Sequence, residues 1–252
     1  MTLLETPEAS LTGTVTLHTE DGVDLAAAVT AAEGTPRGAV VLVHGFTATQ
    51  ADSHVVELRI ALVDAGLDVV TYDARGHGGS GGTCTLGNEE RHDVAAAVAM
   101  ARQRCDNVVV VGASMGAIAA LAHAAEDTSL AGVVTVSSPA RWKLHGLPTV
   151  GAAFMTKTRL GRRLLRTRLG VRVAPHMKLG PEPRTLASRL RVPLAVVHGA
   201  ADRFMPVKEA DELFRSAGAR RRIDVLPGMG HAFGPLASPR ILDAVSWALA
   251  AV

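Results

Sequence analysis

Ser114 is the residue of this chain best placed to do chemistry. Residues 107–120 read NVVVVGASMGAIAA. The four valines Val108–Val111 predict a strand, Gly112-Ala113-Ser114-Met115-Gly116 a tight turn, and the small residues after it a helix. Gly112 and Gly116 stand where a side chain would collide with the neighbouring strand or helix. Such a turn is strained, and strain is kept mostly where it has a use. Here the use would be to present the Ser114 hydroxyl at the carboxyl end of a sheet, with helix N-terminal amides behind it. A serine hydroxyl is a poor nucleophile near neutral pH and needs a base within hydrogen-bond reach. Histidine is the usual base, and a carboxylate fixes its tautomer and stabilises its cation.

Several residues compete for those two roles. His44 and His198 end apolar runs beside glycine and are expected to hydrogen-bond loop backbone. His77 lies in a glycine-rich loop and is expected to be half-exposed. His231 follows the last predicted strand. Asp202 follows the run ending at His198-Gly199, and its competing role is as a turn or cap residue before a helix at Val207. Gly76–Gly81 reads G-x-G-x-x-G after a strand, but a dinucleotide fingerprint needs the third glycine to open a helix, and here Gly82–Thr85 continue a loop. No lysine follows a phosphate-type loop, and no His or Cys cluster has metal spacing. No cofactor and no metal are expected.

These stretches together resemble the α/β-hydrolases with a serine nucleophile elbow. Val41-Leu42-Val43-His44-Gly45-Phe46 resembles the strand-end loop that gives that family its second oxyanion amide, and Asp73–Ser80 the loop after its fourth strand. His198-Gly199-Ala200-Ala201-Asp202 and Gly228-Met229-Gly230-His231 resemble its acid and histidine loops, in the family's order Ser, Asp, His. The resemblance runs from about Thr14 to the C-terminus, except for Lys143–Leu190. It implies Ser114 as nucleophile, His231 as base, Asp202 as its orienter, and the amides of Phe46 and Met115 as an oxyanion hole. It implies a single α/β domain over residues 1–252: a mostly parallel eight-stranded sheet, helices on both faces, and a small helical lid inserted at about 143–190. The expected reaction is hydrolysis of a small-molecule carboxylic ester without a cofactor. Serine at the elbow argues against the family's dehalogenases and epoxide hydrolases, which carry aspartate there. Thioester or C–C bond hydrolysis, acyl transfer and peptide cleavage use the same triad, and a ligand-binding protein that has lost turnover is the rival from another class.

The elements that must position these groups follow from pattern. Thr14–Thr19 and Val23–Thr30, joined by Asp21-Gly22, read as an antiparallel edge hairpin. Ala39–Val43, Val69–Tyr72, Val108–Val111, Val133–Val136 and Leu194–Val197 are short apolar runs typical of strands buried on both faces, and Arg222–Leu226 is the last strand. Helices are predicted after Ser53, which could cap the first, over Asn88–Arg104, Met115–Ala125, Val207–Ala217 and Pro239–Ala250. In the insertion, Leu160–Leu169 (LGRRLLRTRL) reads as an amphipathic helix covering the site, with four leucines on one broad face and Arg162, Arg163 and Arg166 on the other. That basic face is either simply solvated or a cationic rim for an anionic substrate, a carrier protein or a membrane surface. Leu147, Val150, Ala153, Phe154 and Met155 are candidate lining for an acyl pocket.

Composition sets the outer bounds. Nearly half of the 252 residues are hydrophobic, ample for one core, and few are aromatic, so Val, Leu and Ala must fill it. A net charge of +2 gives no case for a nucleic-acid partner. No apolar run approaches the roughly 20 residues that span a bilayer, and the N-terminal stretch carries Glu5 and Glu8 rather than a basic leader. Cys84 and Cys105 are expected as free thiols in a reducing compartment, which makes the cytoplasm the expected location.

Overall fold

The computed structural model describes residues 12–142, 151 and 154–250. Eight strands form one sheet in the order β1-β2-β4-β3-β5-β6-β7-β8. The strands are β1 (Thr12–His18), β2 (Asp24–Thr30), β3 (Ala39–Val43), β4 (Asp68–Tyr72), β5 (Val108–Ala113), β6 (Gly132–Val136), β7 (Leu194–Gly199) and β8 (Arg221–Leu226). β1 and β2 make the expected hairpin and β2 pairs antiparallel with β4, while all other pairings are parallel.

The central strands are continuous apolar runs because helices cover both of their faces. Successive side chains of a strand point to opposite faces, and the core divides accordingly. Val41 and Val43 of β3 and Val108 and Val110 of β5 pack on one side, with α2 (Glu90–Arg102), α3 (Met115–Ala124), α5 (Pro183–Arg189) and α6 (Val207–Ser216). Val40, Leu42, Val109 and Val111 pack on the other, with α1 (Ser53–Asp64) and α7 (Ser238–Leu249). Ser53 does not cap α1. It is the first helical residue, and the preceding Asp52 makes no side-chain capping bond.

The strand order matters for function. After β3 the chain crosses to β4 on one side, and after β4 it returns to β5 on the other. The loops leaving β3 and β5 therefore diverge, which opens a crevice at their carboxyl ends. Phe46 and Ser114 lie just beyond those two ends.

The insertion between β6 and β7 contains α4 (Arg159–Leu169) and is tied to the loop after β4. Cys84 and Val173 form a parallel bridge, the Cys84 amide donates to the Arg172 carbonyl (2.7 Å), and the Ala174 amide donates to that of Cys84 (2.9 Å). The Trp142 indole N–H donates to the Gly180 carbonyl across the base of the insertion (2.8 Å). The expected amphipathic helix is present, but its leucine face is not buried as a unit. Leu165 and Gly161 pack inward, while Leu160, Leu164 and Leu169 are exposed. Leu147, Val150 and Ala153 lie outside the described residues, Phe154 is exposed, and Met155 packs half-buried against the core. No helix among the described residues is long and apolar enough to cross a membrane.

Candidate active site

β5 ends in the strained turn its sequence predicts. Ser114 adopts φ 51°, ψ −111°, and α3 starts at the next residue. A Cβ on Gly116 would lie 2.5 Å from the carbonyl oxygens of both Val43 and His44, and one on Gly112 would strike the Gly116 carbonyl. Both obstacles are backbone of packed elements, so neither can swing aside. Gly116→Ala is accordingly expected to destabilise the fold by roughly 2–3 kcal/mol or more, as forced overpacking does, and thermal unfolding measures it. A melting temperature within about 2 °C of wild type would show that the elbow is looser than this geometry implies.

The acid and histidine loops are fastened to each other. Asp202 follows β7 and His231 follows β8. The Ala200 amide donates to the Leu226 carbonyl and the Ala201 amide to that of Met229, each at 2.9 Å. A side chain on Gly199 would run into the carbonyls of Met229 and Gly230. At this junction Asp202 Oδ2 accepts a hydrogen bond from His231 Nδ1 at 2.8 Å. Asp202 Oδ1 accepts the amides of Phe204 (2.8 Å) and Met205 (2.9 Å), which forms a turn; α6 begins later, after Pro206, so Asp202 is not its cap. The Asp202 side chain is fully buried while His231 is partly open. Burial pushes the Asp202 carboxyl up, but the bond from His231 and the two amides outweigh it and hold it below the ordinary Asp value. A carboxylate here makes Nδ1 the protonated nitrogen and leaves Nε2 as the lone-pair side of the ring.

Ser114 and His231 line one cavity of about 400 Å³, together with Phe46, the start of α1 and Phe233. Met115 opens α3, so its amide has no intrahelical acceptor. Among the described residues, no hydrogen bond takes the amides of Phe46 or Met115. Among the described residues, none from 151 to 190 lines this cavity, so the acyl-pocket role expected for Phe154 and Met155 has no support in its walls. Sequence patterning does not single out Phe204, an exposed residue whose ring centroid lies 5.1 Å from that of His231. Its only signal in the chain is its place two residues after Asp202.

The other histidines are structural, with one difference from expectation. His198 Nε2 meets the Met205 carbonyl at 2.8 Å. His44 is fully buried; its Nε2 accepts the Ala74 amide (2.9 Å), so Nδ1 must carry the proton and donate to the Gly45 carbonyl (2.8 Å). His77 is not half-exposed but buried, with its ring edge-on to those of His44 and Phe46. The glycine-rich loop folds inward around it because Asp73 accepts the amides of Gln50 and Gly79 (each 2.9 Å) and draws the loop against the sheet. That loop continues until α2 begins at Glu90, and no helix opens at its third glycine.

Burial lowers His44 to about 4. Protonating Nε2 would also remove the acceptor of the Ala74 amide. Because the folded value lies below the unfolded one, the stabilisation is present in full above about pH 6.5 and is lost as pH falls through about 4. The expected loss between pH 7 and pH 4.5 is roughly 2–2.5 kcal/mol. Urea unfolding at pH 7 and pH 4.5 measures it, and His44→Gln is expected to flatten the difference.

Asp21, Glu89 and His92 bring ligand-type atoms within 4.8 Å of one another, a grouping that sequence spacing does not reveal. Each is already engaged, Asp21 with Arg75 and His92 with both Glu20 and Glu89.

A sequence model described as the alpha/beta hydrolase family matches residues 40–244. No curated protein matches the sequence. Among solved structures, the esterase Pf2001 of Pyrococcus furiosus superposes with a TM-score of 0.72 at 21% identity, covering 98% of this chain and 95% of that one. A thermophilic esterase from Thermogutta terrifontis, with malate bound, gives 0.70 at 22% identity, covering 95% of this chain and 99% of that one. Est1E of Butyrivibrio proteoclasticus, with ferulic acid bound, gives 0.66 at 18% identity, covering 92% and 96%. At such identities the likeness is one of fold.

Proposed function

The chain belongs to the alpha/beta hydrolase family, and on that premise we propose that it is a serine hydrolase that cleaves a carboxylic ester of a small molecule. The observation that carries this reading is the 2.8 Å bond between His231 Nδ1 and Asp202, in a ring that shares its cavity with Ser114. The Ser114 Oγ attacks the ester carbonyl and its proton passes to His231 Nε2. Asp202 stays ionised and stabilises the imidazolium. The oxyanion takes the amides of Met115 and Phe46, and each such donor is worth about two to three orders of magnitude in rate. His231 returns the proton to the leaving alcohol. Water, activated by the same imidazole, then frees the acid from Ser114. Free Cys84 and Cys105 fit a reducing cytoplasm.

A panel of p-nitrophenyl esters of graded acyl length, matched thioesters and amino-acid amides tests the reading, with a fluorophosphonate probe alongside. Esters are expected to turn over fastest and the probe to label the protein. Faster thioester turnover would move the assignment to a thioesterase on the same residues. Folded wild type that neither labels nor turns over any substrate would make the protein a ligand-binding member of the fold.

A further inference from the structure

The insertion carries a charge the rest of the molecule does not. Ten lysines and arginines and no aspartate or glutamate lie between residues 128 and 181, which leaves sixteen cations against twenty-four acids elsewhere. Several arginines elsewhere are neutralised locally: Arg102 by Asp127, Arg104 by Asp68, Arg184 by Glu212, Arg222 by Asp224 and Asp243. On α4, Arg159, Arg163, Arg166 and Arg168 are exposed, and none is in an ion pair among the described residues.

The same helix exposes its leucines. Leu160 is 59% and Leu169 51% exposed, Leu164 stands one turn from Leu160, and Phe154, whose backbone abuts Gly161, is also exposed. Large apolar side chains set among unpaired cations match what an interfacial helix needs: apolar groups to enter the acyl boundary and arginines to meet anionic headgroups. A second copy of the chain fits less well, since a two-fold contact through this face would set arginine against arginine.

We propose that α4 and its flanks form a docking surface for an anionic lipid bilayer. Leu160 and Leu164 enter the headgroup boundary, and Arg159, Arg163 and Arg166 contact lipid phosphates. The contact is independent of turnover, so its test reads binding alone.

The full chain is sedimented with vesicles of phosphatidylcholine alone and of phosphatidylcholine with phosphatidylglycerol. Partitioning is expected to be at least tenfold higher on the anionic vesicles and to fall steeply in 0.5 M salt. Arg163→Glu with Arg166→Glu is expected to lower it roughly twenty-fold or more. Leu160→Gln with Leu164→Gln is expected to lower it about tenfold or more. Both pairs keep good helix formers at exposed positions, so unchanged circular dichroism and melting would confirm intact folding. Equal partitioning on the two vesicle types, or none, overturns the proposal. So does loss with the arginine pair alone while the leucine pair binds as wild type, which would point to an acidic macromolecule. A concentration-dependent dimer in sedimentation velocity that the leucine pair converts to monomer would assign the face to a second copy, and equally overturns it.

Discussion

Ser114→Ala is expected to lower ester hydrolysis by roughly 10⁵- to 10⁶-fold while leaving the protein folded. Alanine inherits the φ of 51° that serine already tolerates and loses only one oxygen, so stability should change little. On the proposed mechanism, what disappears is the atom that forms the acyl-enzyme. Residual turnover over water should survive, because the amides of Phe46 and Met115 proposed to hold the oxyanion, and the cavity, are untouched. His231→Ala is expected to fall nearly as far, and the double variant hardly further, because the two side chains act as one unit. Steady-state rates on the preferred p-nitrophenyl ester, with fluorophosphonate labelling as a second readout, measure this. Activity of Ser114→Ala within tenfold of wild type would remove this serine from the mechanism.

The largest expected loss of stability lies under the neighbouring loop. Arg75 is buried and bonds two carboxylates: Asp93 through Nε and its own amide, each at 2.8 Å, and Asp21 through both terminal nitrogens at 2.6 and 2.9 Å. Burial drives Asp93 up to about 7, with the charge of Glu90 adding to it, against the pull of Arg75. Arg75 itself is opposed by burial but held firmly charged by its two partners. The partners differ because the arginine has two anions around it, while Asp93 has one cation and a second acid beside it. Arg75→Met fills the space and strands Asp93, for an expected cost of about 3–5 kcal/mol.

The pH dependence gives a second handle on the same variant. The folded Asp93 value lies above the unfolded one, so the stabilisation linked to its protonation is complete below about pH 4 and lost as pH rises through about 7. Without Arg75 that loss extends to higher pH. The deficit against wild type should therefore be larger at pH 8.5 than at pH 6, which urea titrations at the two values measure. A deficit under about 1 kcal/mol at both would mean that water reaches Asp93.

Much of the fold is legible in the chain because buried parallel strands leave a local mark. Val40–Val43 and Val108–Val111 can be little else once glycine turns follow them. The elbow is legible in part for the same reason, since Gly112 answers to the Gly116 carbonyl four residues on, whereas the obstacle to a side chain at Gly116 is the distant end of β3. What resists reading is set by distant partners. Arg75, Asp93 and Asp21 look like surface charges until three separate segments enclose them. His77 looks like a loop residue until Asp73 folds its loop inward. The leucines of α4 carry the periodicity of a buried face, yet only Leu165 finds the core, because helical period says which residues share a side and not how much of that side is covered.

The strap between the insertion and the β4 loop makes a built-in gauge of motion. Cys84 is fully enclosed, its sulfur 3.5 Å from that of Met115, and burial pushes the thiol well above its ordinary range. An alkylating reagent should find it inert until the strap lifts, while the partly open Cys105 reacts throughout. The ratio of the two labelling rates then counts how often the strap comes apart in the native protein.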